Sequence, residues 1–366
     1  GIAIAGTHGK TTTAGMVASI LMAANLDPTV LIGGDLPLIG GNARNGKGEF
    51  VVAESCEAYD GFLYLHPEVA VILNIEADHL DYHGTEQHVF DSFDRFARQV
   101  KRFIIACAED EHTGKFTQRL KTNIEAHFVE YGDSEYTSSV ELYKEIDGTI
   151  EIANNGFPVF DEDAKQINYS GVGPLRLKVP GRHNELNATA AVCVALAIGI
   201  APEHIVAGLE SFTGTGRRFE RLGEVGGVTV IDDYAHHPTE LRATLSAARS
   251  AFPGRRIVAV FQPHLPSRTR DLMGEFAEAL AHEYADAVFV TDIYLAREQP
   301  IVGVTSEVLA DAIDALGNRP EIIRYVPDKA DLPEHLAAFV QSGDVVITLG
   351  AGDIRAAGEG FLRLLK

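Results

Sequence analysis

The sequence predicts an α/β protein of two domains: a central, mostly parallel P-loop-type ATPase sheet with a small antiparallel annex, then a Rossmann-like doubly wound domain. Three observations predict it. Buried-type apolar runs alternate with helical or glycine-rich segments through the first half of the chain. The same alternation restarts after the glycines of 211–217. Between the two, at 140–154, two alternating runs flank Asp147-Gly148, a strong hairpin-turn pair.

The first element is the stretch GIAIAGTHGKTTTAGMVASIL, residues 1–21. Its apolar residues 2–5 suit a strand buried on both faces. Gly6 and Gly9 allow a turn tight enough for backbone N–H groups to converge on an anion. Met16, Val17, Ile20 and Leu21 recur at helical spacing, so an amphipathic helix is expected to start at the turn with its positive dipole end toward that anion. Lys10 then reaches the outer phosphates and the Thr11 hydroxyl meets a magnesium ion, as in nucleotide P-loops. The usual GxxxxGK[ST] spacing fails, because Ile4 stands where the first Gly belongs.

Further strands are predicted at 29–32, 50–53, 69–73 and 103–106, with a helix over 85–100 whose Phe90, Phe93, Ala97 and Val100 share a face. The annex is placed at about 126–180. The second domain is predicted to begin at Gly214, giving domains of 1–213 and 214–366, with strands at 228–231, 257–261, 287–290, 322–325 and 345–349.

At 366 residues, 46% hydrophobic and 23% charged, the chain has the length and composition of two ordinary globular domains. No apolar run approaches the roughly 20 residues of a membrane helix, so a soluble, cytoplasmic protein without a membrane partner is expected. Cys56, Cys107 and Cys193 lack CxxC spacing, which argues against a disulfide framework or structural zinc. A net charge of −21 speaks against nucleic acid as a partner. An anionic substrate therefore needs local cations, and a bound metal is expected.

Ligands of open α/β sheets gather at the carboxyl ends of strands, and the remaining motifs fall there. Glu54-Ser-Cys-Glu57 ends one strand and offers carboxylates for Mg²⁺, against the alternative of solvated loop acids. Asn74-Ile-Glu-Ala-Asp-His79 ends another, and Asp78 and His79 could bind a second metal or position a reacting group. Asn184 and Asn187 open an Ala- and Val-rich helix; Asn184 either caps it or reads a base or ribose together with Asn187. In the second domain Arg217 and Arg218 follow the hinge-like glycines, where an Arg can swing onto a transferring phosphoryl group. The stretch 231–238, IDDYAHHP, and Phe261-Gln-Pro-His-Leu-Pro-Ser-Arg268 again follow strands, and Arg268 is suited to gripping a carboxylate.

Taken together, GTHGKTTT, AESCE, NIEADHLDY, GRHNELNA, GRRFE, DDYAHHP and FQPHLPSRT resemble, in order and from end to end, the motifs of the Mur ligases, ATP-dependent amide-bond-forming enzymes of bacterial cell-wall synthesis. GTHGKTTT, DDYAHHP and FQPH are most similar to the alanine-adding branch. The resemblance implies ATP and Mg²⁺ as cofactors, UDP-N-acetylmuramate and L-alanine as substrates, and an acyl phosphate intermediate. It also implies roles. Gly6, Thr7, His8, Gly9, Lys10, Thr11 and Thr12 cradle the phosphates; Thr11 and Glu54 take one Mg²⁺ and His79 a second. Asn184 and Asn187 contact the adenine side, Arg218 the γ-phosphate and Asp233 the ribose. His236 and Arg268 face the alanine, and Lys10, His79 and Arg218 act in the chemistry itself.

Three departures qualify that likeness. No Lys lies between His79 and Val100, so the carbamoylated lysine that several family members use to bridge to the second metal is not expected. Leu265 and Pro266 stand where some alanine adders carry an Arg and an aromatic, so alanine is expected to make fewer contacts. Family members carry a UDP-sugar-binding domain of about a hundred residues before the GTHGKT turn. On that pattern the chain is expected to bind Mg–ATP while binding the UDP-sugar weakly and ligating poorly by itself. Two rival readings remain at this point: a ligase that recycles murein tripeptide, and a nucleotide-binding module without catalysis.

Overall fold

The computed structural model describes residues 1–76, 80–120, 124–132, 159–161, 166–169 and 173–366. The expected hairpin at Asp147-Gly148 and the candidate ligand His79 lie outside these residues. Contacts divide the chain into two compact units, one of Gly1–Val179 with His183–Gly216 and the other of Pro180–Arg182 with Arg217–Lys366.

In the first unit seven strands form one sheet: β1 (Ile2–Ala5), β2 (Thr29–Leu36), β3 (Gly41–Arg44), β4 (Val51–Glu54), β5 (Val69–Ile72), β6 (Phe103–Cys107) and β7 (His127–Tyr131). Their order is β3-β2-β4-β1-β5-β6-β7, with β1 in the middle. Every pairing is parallel except β2 with β3. The apolar runs of β1, β5 and β6 are buried at every position, as a sheet covered on both faces requires. One face packs against Met16, Val17, Ile20 and Leu21 and against the Ala- and Val-rich helix Arg182–Ala197. The other packs against Phe62, Phe93, Phe96 and Phe116, with the Phe62 and Phe96 rings stacked 4.7 Å apart.

The structure departs from two expectations. The helix Lys10–Ala23 is not amphipathic, for Thr11 through Leu21 are all buried. Its outer side is covered by the helix Pro202–Ser211, which crosses it so closely that a Cβ on Gly208 would sit 2.4 Å from the Ile20 Cα. The annex begins later than about 126, because His127–Tyr131 pairs in parallel with β6 as the edge of the main sheet. Its alternating exposure, usual at an edge, resembles that of an antiparallel strand in sequence. The described part of the annex is a three-stranded antiparallel sheet of β8 (Val159–Asp161), β9 (Gln166–Tyr169) and β10 (Gly173–Leu175), in the order β10-β9-β8.

The second unit is built on β11 (Glu220–Val225), β12 (Val228–Asp233), β13 (Ile257–Phe261), β14 (Ala287–Val290), β15 (Ile322–Tyr325) and β16 (Val345–Leu349), in the order β11-β12-β16-β13-β14-β15. All pairs are parallel except β11 with β12, which turn on Gly226-Gly227, both at positive φ. In the charged, half-exposed β11 the apolar Leu222 and Val225 stand three apart rather than alternating, and sequence reading passes over it. Helices cover both faces and leave two apolar cores. Among the described residues no helix is long and apolar enough to cross a membrane.

Candidate active site

The first unit builds an anion cradle from backbone. Gly6 and Gly9 adopt φ of 131° and 86°, and both are hemmed in. A Cβ at Gly6 would lie 3.0 Å from the Leu73 nitrogen, and one at Gly9 would lie 2.6 Å from Asn187 Oδ1. Glycine is therefore required twice, by conformation and by space. The turn is tied to the end of β5: Thr7 N–H donates to Asn74 O at 3.1 Å, His8 N–H donates to Asn74 Oδ1 at 2.7 Å, and Asn74 Nδ2 donates to His8 O at 3.1 Å. The first helical bond runs from Thr13 N–H to Gly9 O, so the amides of Lys10, Thr11 and Thr12 precede the intrahelical ladder and carry the positive end of the dipole.

Adjacent residues of this helix each have their own carboxylate. Thr11 Oγ1 donates to Glu54 Oε2 at 2.8 Å, and Gly33 N–H donates to the same oxygen at 2.7 Å. Lys10 Nζ lies 3.0 Å from Glu57 Oε2 in a pair that is nearly sealed from solvent. Burial pulls the Lys10 pKa down, but Glu57, with Cys56 and Glu54, outweighs it and leaves the ammonium above its usual range. The Thr11–Glu54 oxygens suit Mg²⁺: both are hard ligands, and their spacing matches the roughly 2.9 Å between neighbouring ligands of an octahedron with about 2.05 Å bonds.

Asn184 and Asn187 are buried in the helix Arg182–Ala197, with Asn187 Nδ2 reaching Asn184 Oδ1 at 3.4 Å. Asn184 stands third in the helix, inside its first turn. Asn187 faces Gly9, so within this unit Gly6 through Thr12, Glu54 and Asn187 come together.

In the second unit the strand ends carry a cluster of side chains. Asp233 closes β12, and its two oxygens accept from Phe219 N–H at 2.7 Å and Ala235 N–H at 2.8 Å. Burial raises its pKa to about 6 against the lowering by Arg218 and these two amides. Of the two arginines on the hinge-like stretch, Arg217 is locked, donating to Asp232 at 3.0 Å and to the carbonyls of Gly350 and Gly352. Arg218 lies over the Tyr234 ring at 5.0 Å, with Glu240 3.9 Å from its guanidinium. His236 is oriented by Glu240, 3.1 Å from its Nδ1, and its ring stands 5.6 Å from that of His264.

His264 lies just past the end of β13, beside His236. It stacks on Tyr294 with centroids 5.7 Å apart. Its pKa falls to about 4 through burial and then through the positive charge of His236, Arg268 and Arg297, so the imidazole is neutral at pH 7. Arg268 lies in the short helix Pro266–Asp271, entered through Leu265 at the unusual φ of 69°. Sequence reading assigns no individual role to Glu57, Asn74, Glu240, His264 or Tyr294. For Asn74 and His264 the signal is present, since each follows a buried strand.

Residues 4–195 match the Mur ligase middle domain, and residues 217–352 match the Mur ligase glutamate ligase domain. The chain belongs to the Mur ligase family. Among curated relatives, the UDP-N-acetylmuramate–L-alanine ligase of Cutibacterium acnes is 46% identical over 368 residues, covering 100% of this chain and 75% of the relative. The corresponding ligase of Trichlorobacter lovleyi is 43% identical over 370 residues, covering 100% and 77%. The crystal structure of the UDP-N-acetylmuramate–alanine ligase of Thermotoga maritima is similar with a TM-score of 0.72 at 29% identity, covering 99% of this chain and 74% of that one. The chain thus spans about three quarters of the length of these relatives.

Proposed function

We propose that this chain carries the ligase chemistry of the alanine-adding branch, joining L-alanine to UDP-N-acetylmuramate at the expense of ATP. The observation that carries the reading is the pairing of Lys10 and Thr11 with separate carboxylates at the mouth of a glycine-built anion cradle. That arrangement stands in a chain 46% identical to a ligase of this branch. It is what a reaction with little covalent help from the protein needs: positioned charge on a transferring phosphoryl group.

In this reading the amides of Gly6 to Thr12 and the Lys10 ammonium hold the phosphates. Thr11 and Glu54 hold Mg²⁺, which when bound supplies neutralising charge on the phosphate oxygens, and His79 takes a second ion. Asn184 and Asn187 contact the adenine side, Asp233 the ribose hydroxyls through lone pairs left over from its two amide bonds, and Arg218 the γ-phosphate. A muramyl carboxylate oxygen attacks the γ-phosphorus as the bond to the β–γ bridging oxygen breaks, giving an acyl phosphate and ADP. The neutral amine of alanine then attacks the acyl carbon, the C–N bond forms, and phosphate leaves with the electron pair of the C–O bond while the surplus amine proton passes to solvent. Arg268 grips the alanine carboxylate and His236 flanks it. Neutral His264 adds no further positive charge beside the incoming amine. ATP as co-substrate supports a cytoplasmic location.

The test is ADP release in the presence of UDP-N-acetylmuramate, with the amide product followed by mass spectrometry. Release should rise saturably with L-alanine. Release indifferent to L-alanine, or stronger with a tripeptide, refutes the proposal.

A further inference from the structure

An ammonium has three protons to give, and in this chain the Lys10 group has three partners. Its Nζ donates to Gly6 O at 2.5 Å, to Thr7 O at 2.9 Å and to Glu57 Oε2 at 3.0 Å. The cation that should meet a phosphate is therefore folded back onto its own loop and fastened there by a carboxylate. We infer that Glu57 is a positioning residue that competes with the phosphate chain for Lys10: it holds the ammonium against the loop carbonyls until an incoming phosphate takes it. The inference rests on the nucleotide-binding reading of the loop.

Glu57 is no loose surface acid. The residue is 1% exposed, and its backbone is fixed from two sides, with Asp60 N–H donating to Glu57 O at 3.0 Å and His83 Nε2 lying 3.2 Å from the same oxygen. Two residues on, Tyr59 and Asp60 both take left-handed φ, 54° and 56°, an unfavourable pair for side chains with a Cβ. That geometry is pinned to the helix Glu86–Ala97, where the Ser92 hydroxyl and Arg95 both donate to Asp60. The fold thus spends local strain on the segment that presents Glu57. The carboxylate does not duplicate Glu54, which is engaged with Thr11 and Gly33.

Calorimetric titration with ADP, without magnesium so that the Thr11–Glu54 pair stays out of the comparison, separates the possibilities. Glu57→Gln keeps the shape and removes the charge; it should tighten ADP binding about tenfold, the order of one charge-assisted hydrogen bond. Glu57→Ala, a second neutral variant should the first fail to fold, should also tighten it. Glu57→Asp, which keeps the charge, should stay within about threefold of the parent chain. In a Lys10→Met background the tightening by Glu57→Gln should shrink, because no ammonium remains to compete for. Unchanged or weaker ADP binding by a folded neutral variant overturns the inference. Equal or greater tightening in the Lys10→Met background also overturns it, since Glu57 would then act by repelling phosphates directly. If the parent chain binds no ADP, the nucleotide reading falls and the inference with it; if it binds ADP and the neutral variants match it, only the inference falls.

Discussion

The two units meet the same requirement, charge management at the ends of parallel strands, with different materials. The first makes its site from backbone: two left-handed glycines, helix-terminal amides, and an Asn74 clamp on main-chain atoms. The second makes its site from side chains that orient one another, with Glu240 on His236, Arg218 on Tyr234 and His264 on Tyr294. A backbone site tolerates few substitutions because its donors come with the chain's path. A side-chain site can be altered one group at a time, and its properties are set by mutual electrostatics.

The largest expected effect falls on the buried ammonium that the first unit adds to its backbone turn. Lys10→Met leaves the buried Glu57 carboxylate uncompensated and should cost about 3–5 kcal/mol in urea denaturation. It should also lower alanine-dependent ADP release by about 10²- to 10³-fold, as loss of one preorganised charge does. Next comes Gly9→Ala, whose Cβ would meet Asn187 Oδ1 at 2.6 Å in a left-handed backbone; about 1–3 kcal/mol of stability should go with it, read from the same denaturation curves. Preserved nucleotide binding in that variant would contradict the backbone character of the site.

A smaller effect sharpens the comparison on the side-chain site. Asp233 has its pKa raised from 3.8 to about 6, so the native state binds the proton more tightly than the unfolded chain. Its contribution is full below pH 3.8 and is lost as pH rises to about 6. His264 has its pKa lowered from 6.5 to about 4, so its contribution is present above pH 6.5 and is lost as pH falls toward 4. The two slopes oppose each other. Asp233→Asn should unmask stability that rises with pH between 4 and 6.5, and His264→Gln stability that falls there, measured as denaturation midpoints across pH. At the bottom of the scale, Lys115→Ala breaks only the exposed pair of Lys115 with Glu111 and should leave the midpoint where it is.

The same contrast explains what could be read from sequence. The strand–glycine–lysine turn, the buried strands and the doubly wound second unit were legible because apolar runs and glycines report directly on backbone path. The helix after the turn reads as amphipathic in sequence because its outer cover, the helix Pro202–Ser211, lies some two hundred residues away. The edge strand His127–Tyr131 reads as part of the annex because an edge alternates whichever way its partner runs. Glu57 is visible in sequence as a carboxylate near the loop, but its pairing with Lys10 is a tertiary contact, and the left-handed Tyr59-Asp60 beside it is a turn for which no glycine at those positions gives notice.

The crossing at Gly208 bears on all of this from behind. With the Ile20 backbone filling the place a side chain would need, the two helices can lie this close only while position 208 is glycine. A methyl group added there would push on the helix whose other end begins at Lys10, a remote handle on the turn.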